Sequence, residues 1–267
     1  MPDLSELASK YAKYRQRPRR RFGEWLLGGA QHRREARQMV ISLLCPSRGR
    51  PENLRRLVAS IEHTASRSDQ LEMIAYLDTD DPSCWESAQI LVKGLKRTTV
   101  IFGPRIVMAE CWNRCFAISS GSILFQCADD IVFRTPDWDE AIERQFDDCP
   151  DRILFVHGRD GLQDGRLGTH GAVSRRWAEA LGYFVPPYFS CDWTDTWLNE
   201  VADSLGRRRY LPEIFIEHMH PAAGKAEMDQ THLDRMARGE RDNVTQRYID
   251  TLPERQRDAE ILRALMS

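Results

Sequence analysis

Residues Gly121 to Phe133 read G-S-I-L-F-Q-C-A-D-D-I-V-F: an apolar run ends in two adjacent carboxylates, Asp129 and Asp130, and a second apolar run follows. A short apolar run bounded by turn residues is how a buried strand reads. The paired acids constrain the fold more than any other stretch, because an unpaired carboxylate in a low-dielectric interior is very costly. Either they face water in a turn, as Asp pairs after strands often do, or they hold a divalent cation. The carboxyl ends of strands are where open α/β sheets gather their ligands. Oxygen ligands of this kind suit Mg2+ or Mn2+, which leave positions open for a substrate's phosphates.

The chain on either side alternates between strand and helix. Val40 to Cys45 is a compact apolar strand that ends in the turn Pro46 to Pro51. Glu52 to Glu62 follows, with Leu54, Leu57, Val58 and Ile61 at helical spacing. A second strand, Leu71 to Leu77, ends in Asp78-Thr79-Asp80-Asp81-Pro82, and a helix runs from Ser87 to Leu95. A third strand, Thr98 to Phe102, ends in Gly103-Pro104-Arg105; the helix Val107 to Ser119 then carries Asn113. This order predicts an α/β fold, a largely parallel sheet flanked by helices with its polar loops at one edge.

After Asp130 the rhythm changes. Trp138 to Phe146 reads as a helix, Ile153 to His157 as a strand, and Gly158 to Gly171 as a loop or hairpin. Arg175 to Leu181 is a short helix broken by Gly182, and Thr194 or Asp195 caps a helix running to about Leu205. A strand from Tyr210 to Ile216 delivers Glu217-His218-Met219-His220-Pro221 and Lys225, and from Ala226 the chain is polar and helical.

A chain of 267 residues suits one large α/β domain. Its formal net charge of −2 argues against wholesale nucleic-acid binding, yet the charge is uneven. Residues 1–38 carry ten Lys or Arg against four acids, interleaved with Phe22, Trp25, Leu26 and Leu27. Such an extension either packs on the domain as a solvated helix or arm, or seats on an anionic membrane or on nucleic acid. No apolar run reaches the roughly 20 residues of a membrane helix, and the start does not read as a signal peptide. Seven cysteines without paired metal spacing read as reduced thiols, with Cys111 and Cys115 as core packing. These features point to the cytoplasm, with the basic end leaving a peripheral membrane location open.

With the pieces in order, the chain resembles the family 2-like glycosyltransferases of GT-A fold, within the nucleotide-diphospho-sugar transferase superfamily, from about Val40 to Asp229. The resemblance implies a Rossmann-like GT-A domain over residues 39–225, a basic extension over 1–38 and a helical tail over 226–267. It implies that the turn after the first strand, with Ser47 and Arg48, opens the nucleotide pocket. Asp78, with Asp80 beside it, matches the acid that holds the base, and Asn113 lies on the helix before the acidic motif. That motif reads Ala128-Asp129-Asp130 where the family more often has acid, any residue, acid. Asp130 takes the metal role and Asp129 the ribose role. A later acid ahead of a helix acts as catalytic base; Thr194-Asp195 stands in for the usual Glu-Asp pair, so Asp195 is taken as the base and Asp192 as its rival. A His beyond the last strand completes the metal shell; of His218 and His220 only one is expected to face the metal, and the choice falls on His220. Arg48, Arg105 and Lys225, each in a loop after a predicted strand, are candidates to bind the phosphates.

The implied reaction is a metal-dependent transfer of a sugar from a nucleotide-diphospho-sugar, in the first place a uridine one (UDP-sugar), to a hydroxyl, in one displacement with inversion. Mn2+ or Mg2+ is the implied cofactor. The acceptor is open among glycans, lipid-linked glycans and modified nucleic acid. A nucleotidyltransferase of related fold is a second reading, weakened by the single glycine of Pro46 to Pro51. A nucleotide-sugar-binding module without catalysis is a third.

Overall fold

The structure, a computed structural model, describes residues 41–267. The basic segment 1–38, and the membrane or nucleic-acid contacts expected of it, lie outside the described residues.

Strand β1 (Ile41–Ser47) is buried along nearly its whole length. Ile41, Leu43 and Cys45 face one core while Leu44 faces another, the two-sided burial required of a central strand. It pairs in parallel with β2 (Leu71–Asp78) and with β4 (Ile123–Gln126), and β2 pairs in parallel with β3 (Thr98–Gly103). Beyond β4 the sheet turns antiparallel, through β7 (Ala172–Ser174) to β6 (Phe155–Arg159). From there β6 runs parallel to β8 (Arg208–His218), whose other side pairs antiparallel with the short β5 (Ile131–Phe133). Among the described residues the order β3-β2-β1-β4-β7-β6-β8-β5 is therefore a mixed, eight-stranded sheet.

Helices cover both faces. In α1 (Pro51–Thr64) proline sits in the first turn, where its missing N–H costs nothing, and Leu54, Leu57, Val58 and Ile61 are buried as their spacing predicts. α1 and α4 (Trp138–Asp147) pack over one core. α3 (Met108–Ile118), α5 (Arg175–Leu181) and α6 (Thr194–Ser204) pack over the other, and α2 (Cys84–Gly94) lies beside α1. Both Cys111 and Cys115 are buried in the second core, and all seven cysteines are free and buried.

Several elements differ from the sequence expectation, and α2 begins three residues early, at Cys84. β6 begins two residues later than expected, and β7 follows directly on Gly158 to Gly171, the stretch that reads as loop or hairpin. With three residues, β7 is too short to show a period, and only its antiparallel partners define it. β8 runs past both expected ends around an irregularity: Gly158 pairs with Leu211, but Arg159 pairs with Phe215. Pro212 lies in the skipped segment, the position a residue without an N–H can occupy in a strand.

The polar tail is three helices, α7 (Gln230–Arg241), α8 (Val244–Asp250) and α9 (Leu252–Arg263), divided by Asn243 in the left-handed region (φ 47°) and by Thr251. Ala259 and Leu262 of α9 belong to the second core. No helix among the described residues is long and apolar enough to cross a membrane.

Candidate active site

A cleft of about 590 Å³ opens at the carboxyl ends of β1, β2 and β4, within the range of small-ligand sites. Ser47, Arg48, Asp78, Arg105, Asp129, Asp130, Asp192, Asp195 and His220 all line it. Asp80, Asn113 and Lys225 do not.

Asp129 and Asp130 lie on the turn between β4 and β5. β4 is hydrogen-bonded into the sheet up to that turn, the last bond running from the Cys127 amide to the Leu44 carbonyl (3.0 Å). Because β5 pairs antiparallel with the end of β8, His218 sits opposite Ile131, and the Met219 amide donates to the Asp130 carbonyl (2.8 Å). This register places His218 Nε2 3.6 Å from an Asp130 carboxylate oxygen. The second strand pairing matters equally: β7 runs antiparallel to β4, and the Gln126 amide donates to the Gly171 carbonyl (2.8 Å). Gly171 lies so close to the Phe155 ring that a Cβ there would come within 2.6 Å of it. The neighbouring His170 thereby approaches the Gln126 carbonyl, to which its Nδ1 donates over 3.3 Å.

Asp130, His170 and His218 offer three ligand atoms within 4.8 Å of one another. Nε2 of His170 and Nδ1 of His218 are buried and have no hydrogen-bond partner, which is costly unless something else binds there. Burial, with the neighbouring His218, pushes the His170 imidazole down to about 4, so it is neutral at physiological pH. Burial also works against the Asp130 charge, but His218, His170 and Arg50 outweigh it and hold this carboxyl well below the usual range. Two imidazole donors and one carboxylate fit a divalent cation.

The sequence reading chose His220, and the geometry favours its neighbour. Alternate residues of extended chain share a side, and the two rings lie 4.9 Å apart. His220 stands beyond the strand end, where its Nδ1 accepts from the Ala222 amide (3.1 Å) and it caps a 3₁₀ turn. His170 was missed because nothing local marks it: the β4–β7 pairing brings it to the site across 44 residues.

Arg50 was missed as well. Its guanidinium is nearly enclosed, 3.1 Å from Asp129, 3.6 Å from Asp130, and 2.7 and 2.9 Å from the two oxygens of Asp229. Asp129 accepts from Arg50 on one oxygen and from Ser47 Oγ (2.7 Å) on the other. Burial nevertheless raises the Asp129 pKa, against the pull of Arg50. Each Asp129 oxygen thus accepts one hydrogen bond, and the carboxylate ties Ser47 and Arg50 together.

At the end of the cleft next to β2, Asp78 closes the strand and lies 3.1 Å from Arg48, which also binds the exposed Asp80. Asn113 is committed elsewhere: Oδ1 accepts from the Phe184 and Val185 amides (2.8 and 3.1 Å), and Nδ2 donates to the Val185 carbonyl (2.9 Å). It anchors the 184–185 backbone and does not reach the cleft. Lys225 pairs with Glu217 (2.9 Å) beside the Phe215 ring, also away from the cleft.

At the other end, Asp192 and Trp193 are both in the left-handed region (φ 54° and 59°), an uncommon conformation for a tryptophan. This double turn starts α6 and presents Asp195 in its first turn. Burial raises the Asp195 pKa to about 6, although the Thr196 amide bond to its carboxylate (2.7 Å) opposes the shift. Asp192 is held by Arg235 in an ion pair. Trp193 stacks on Tyr248 (4.2 Å), and Tyr248 packs under Arg255, which also reaches the Trp197 ring.

One wall of the cleft comes from α7. Besides Asp229 on Arg50 and Arg235 on Asp192, Asp234 binds Arg105 (2.5 Å), and Thr231 Oγ1 donates to the Arg48 carbonyl (3.2 Å). Sequence inspection gave no sign of this wall, because each tie joins a residue of the polar tail to one far back in the chain.

No protein-family model matches the chain, and no curated protein matches it by sequence. Solved structures do. One is a mannosyltransferase from Pyrobaculum calidifontis in complex with GDP-Man and Mn2+, at 14% identity and a TM-score of 0.61, covering 98% of this chain and 76% of that one. Others are crystal structures of TarS from S. aureus. With UDP-GlcNAc the identity is 10%, the TM-score 0.54, and the coverage 74% of this chain and 64% of that one. With UDP the values are 11%, 0.54, 73% and 69%. The chain has the GT-A fold of nucleotide-sugar transferases.

Proposed function

From the GT-A fold as premise, we propose that the chain is a metal-dependent inverting glycosyltransferase that moves a sugar from a nucleoside-diphospho-sugar, in the first place a UDP-sugar, to a hydroxyl acceptor. One observation carries the reading. A single cleft holds the Asp130–His170–His218 cluster at one position and, at another, the half-buried Asp195 carboxylate, whose pKa of about 6 suits a base. The fold supports the donor class, since structures of this fold carry GDP-Man, UDP-GlcNAc and UDP.

Asp130, His170 and His218 would hold the cation, which when bound neutralises charge on the departing diphosphate. Asp78 and Arg48, at the ends of β2 and β1, would meet the base and ribose. Arg105 is a fixed positive charge for the phosphates, once shared with Asp234. Asp195 takes the acceptor's proton as its oxygen bonds to the anomeric carbon, and the bond to the diphosphate breaks with its electron pair leaving on the diphosphate. A group with a pKa near 6 is largely ionised at neutral pH and still a competent acceptor in the transition state. Asp192, neutralised by Arg235, is the weaker choice of base. Trp193, locked on Tyr248, offers a rigid aromatic edge beside the base for the sugar's apolar face.

A thermal-shift and calorimetric series with UDP, GDP and other nucleoside diphosphates, with and without Mn2+, tests the reading, since ligand binding to the folded state raises apparent stability. Metal-dependent binding of one nucleotide is expected. No binding of any nucleotide under either condition would overturn the reading. Asp130→Asn separates a catalyst from a binding module: a catalyst should lose turnover, while a binding module should keep its partner.

A further inference from the structure

We infer that the cation site selects by nitrogen donors: it binds a borderline divalent ion such as Co2+ or Zn2+ without any nucleotide, more tightly than Mn2+, and does not retain Mg2+. The inference builds on the proposed function only in taking the Asp130 cluster as the cation's seat.

Four observations carry it. First, the oxygen donors are few. The cluster of close donor atoms contains one carboxylate, Asp130, while each oxygen of Asp129 already accepts a hydrogen bond, from Ser47 or from Arg50. Second, the Arg50 guanidinium lies 3.6 Å from that carboxylate and already offsets part of its charge. A hard cation that depends on oxygen charge, as Mg2+ does, finds little here.

Third, His170 is set as a ligand before any ion arrives. Its Nδ1 faces a carbonyl, which can only accept, so Nδ1 carries the proton and the lone pair is on the buried, unpartnered Nε2. An imidazole whose second nitrogen donates to a backbone carbonyl is the arrangement that orients metal-binding histidines. Fourth, the His218 ring stands edge-on to the His170 ring at 4.8 Å, and a buried nitrogen of that ring also lacks a partner. Two imidazoles and one carboxylate suit ions later in the divalent series than Mn2+, and affinity for such a site rises from Mn2+ through Co2+.

The test uses metal alone on the full chain. Titration with Co2+ should give a visible d–d spectrum and a saturating isotherm without nucleotide. Competition should place Zn2+ and Co2+ about tenfold or more below Mn2+ in Kd, with no measurable Mg2+ binding at millimolar concentration. His170→Ala should weaken Co2+ binding by about 10–100-fold and change the spectrum. His170→Gln, closer in size, guards against a variant that fails to fold, and His220→Ala should leave Co2+ affinity within about twofold. The inference falls if Mg2+ binds as tightly as Co2+, if no metal binds without nucleotide, or if His170→Gln keeps wild-type affinity and spectrum. If Co2+ binds as expected but no nucleotide binds under any condition, the transferase reading fails and this one stands.

Discussion

Replacing Arg50 with methionine should turn the centre of the cleft against the fold. The guanidinium is buried between Asp129, Asp130 and Asp229, and methionine fills a similar volume without charge. Asp129 and Asp130 are 5% and 8% exposed, so the substitution leaves two adjacent buried carboxylates without their shared cation. Removing one partner of a buried ion pair costs about 3–5 kcal/mol. For a domain of this size each kcal/mol lowers Tm by about 2–4 °C, which predicts a fall of roughly 6–20 °C at neutral pH.

The pH dependence has a definite sign. The Asp129 pKa is already raised in the folded state, and losing Arg50 raises it further. A carboxyl with a raised folded pKa binds more protons folded than unfolded, so stability falls as pH rises from the unfolded value through the folded one. The deficit of the variant should therefore be largest at neutral pH and shrink toward pH 4. Co2+ at about a hundred times its Kd should restore on the order of 2.7 kcal/mol. Circular-dichroism melts of both proteins at several pH values, with and without Co2+, measure all three effects. A variant as stable as wild type at pH 7, or one whose deficit grows in acid, would refute the electrostatic account of Arg50.

Asp195→Asn should lower kcat about 10²–10⁴-fold with donor affinity unchanged, and the wild-type rate should rise with pH through about 6 and then level, because the base must be ionised. A pH–rate profile flat between 5 and 8 would exclude Asp195 as base. Asn113→Ala should cost about 2–5 kcal/mol, since it strips partners from three buried backbone groups, while donor affinity measured on the folded fraction stays unchanged. Arg255→Ala should destabilise by about 1–3 kcal/mol through loss of the Tyr248 and Trp197 stacking and the Glu200 ion pair, and should raise KM by loosening Trp193. Denaturant melts and steady-state kinetics on the same preparations check both.

What the sequence disclosed was local. The parallel half of the sheet followed from strands that end in turn residues and from helices such as α1, whose four apolar positions lie on one face. The acidic turn after β4 was visible because two adjacent charges interrupt an apolar run, and Asp195 because a helix starts there. Most of the misses depend on pairing between distant segments. Choosing between His218 and His220 needs the register of β8 on β5, and finding His170 needs the pairing of β7 on β4. Lys225 follows a predicted strand and Asn113 lies on a predicted helix, as binding residues would, but Glu217 holds one and the 184–185 backbone holds the other. Arg50 looks like any loop arginine until Asp229, 179 residues away, is beside it.

That last distance bears on how the protein is made. Arg50, Arg105 and Asp192 emerge from the ribosome well before Asp229, Asp234 and Arg235, so during synthesis the sheet can form around a site that still lacks a side. Contacts between remote residues form late because long loops must first close. A chain stopped before Asp229 would keep most of both cores yet leave Arg50 with two acids and no third, and its half-walled cleft would be open to water. Completion of α7 thus serves as a timer, and the cleft acquires its full shape only when nearly all of the polypeptide is available to fold.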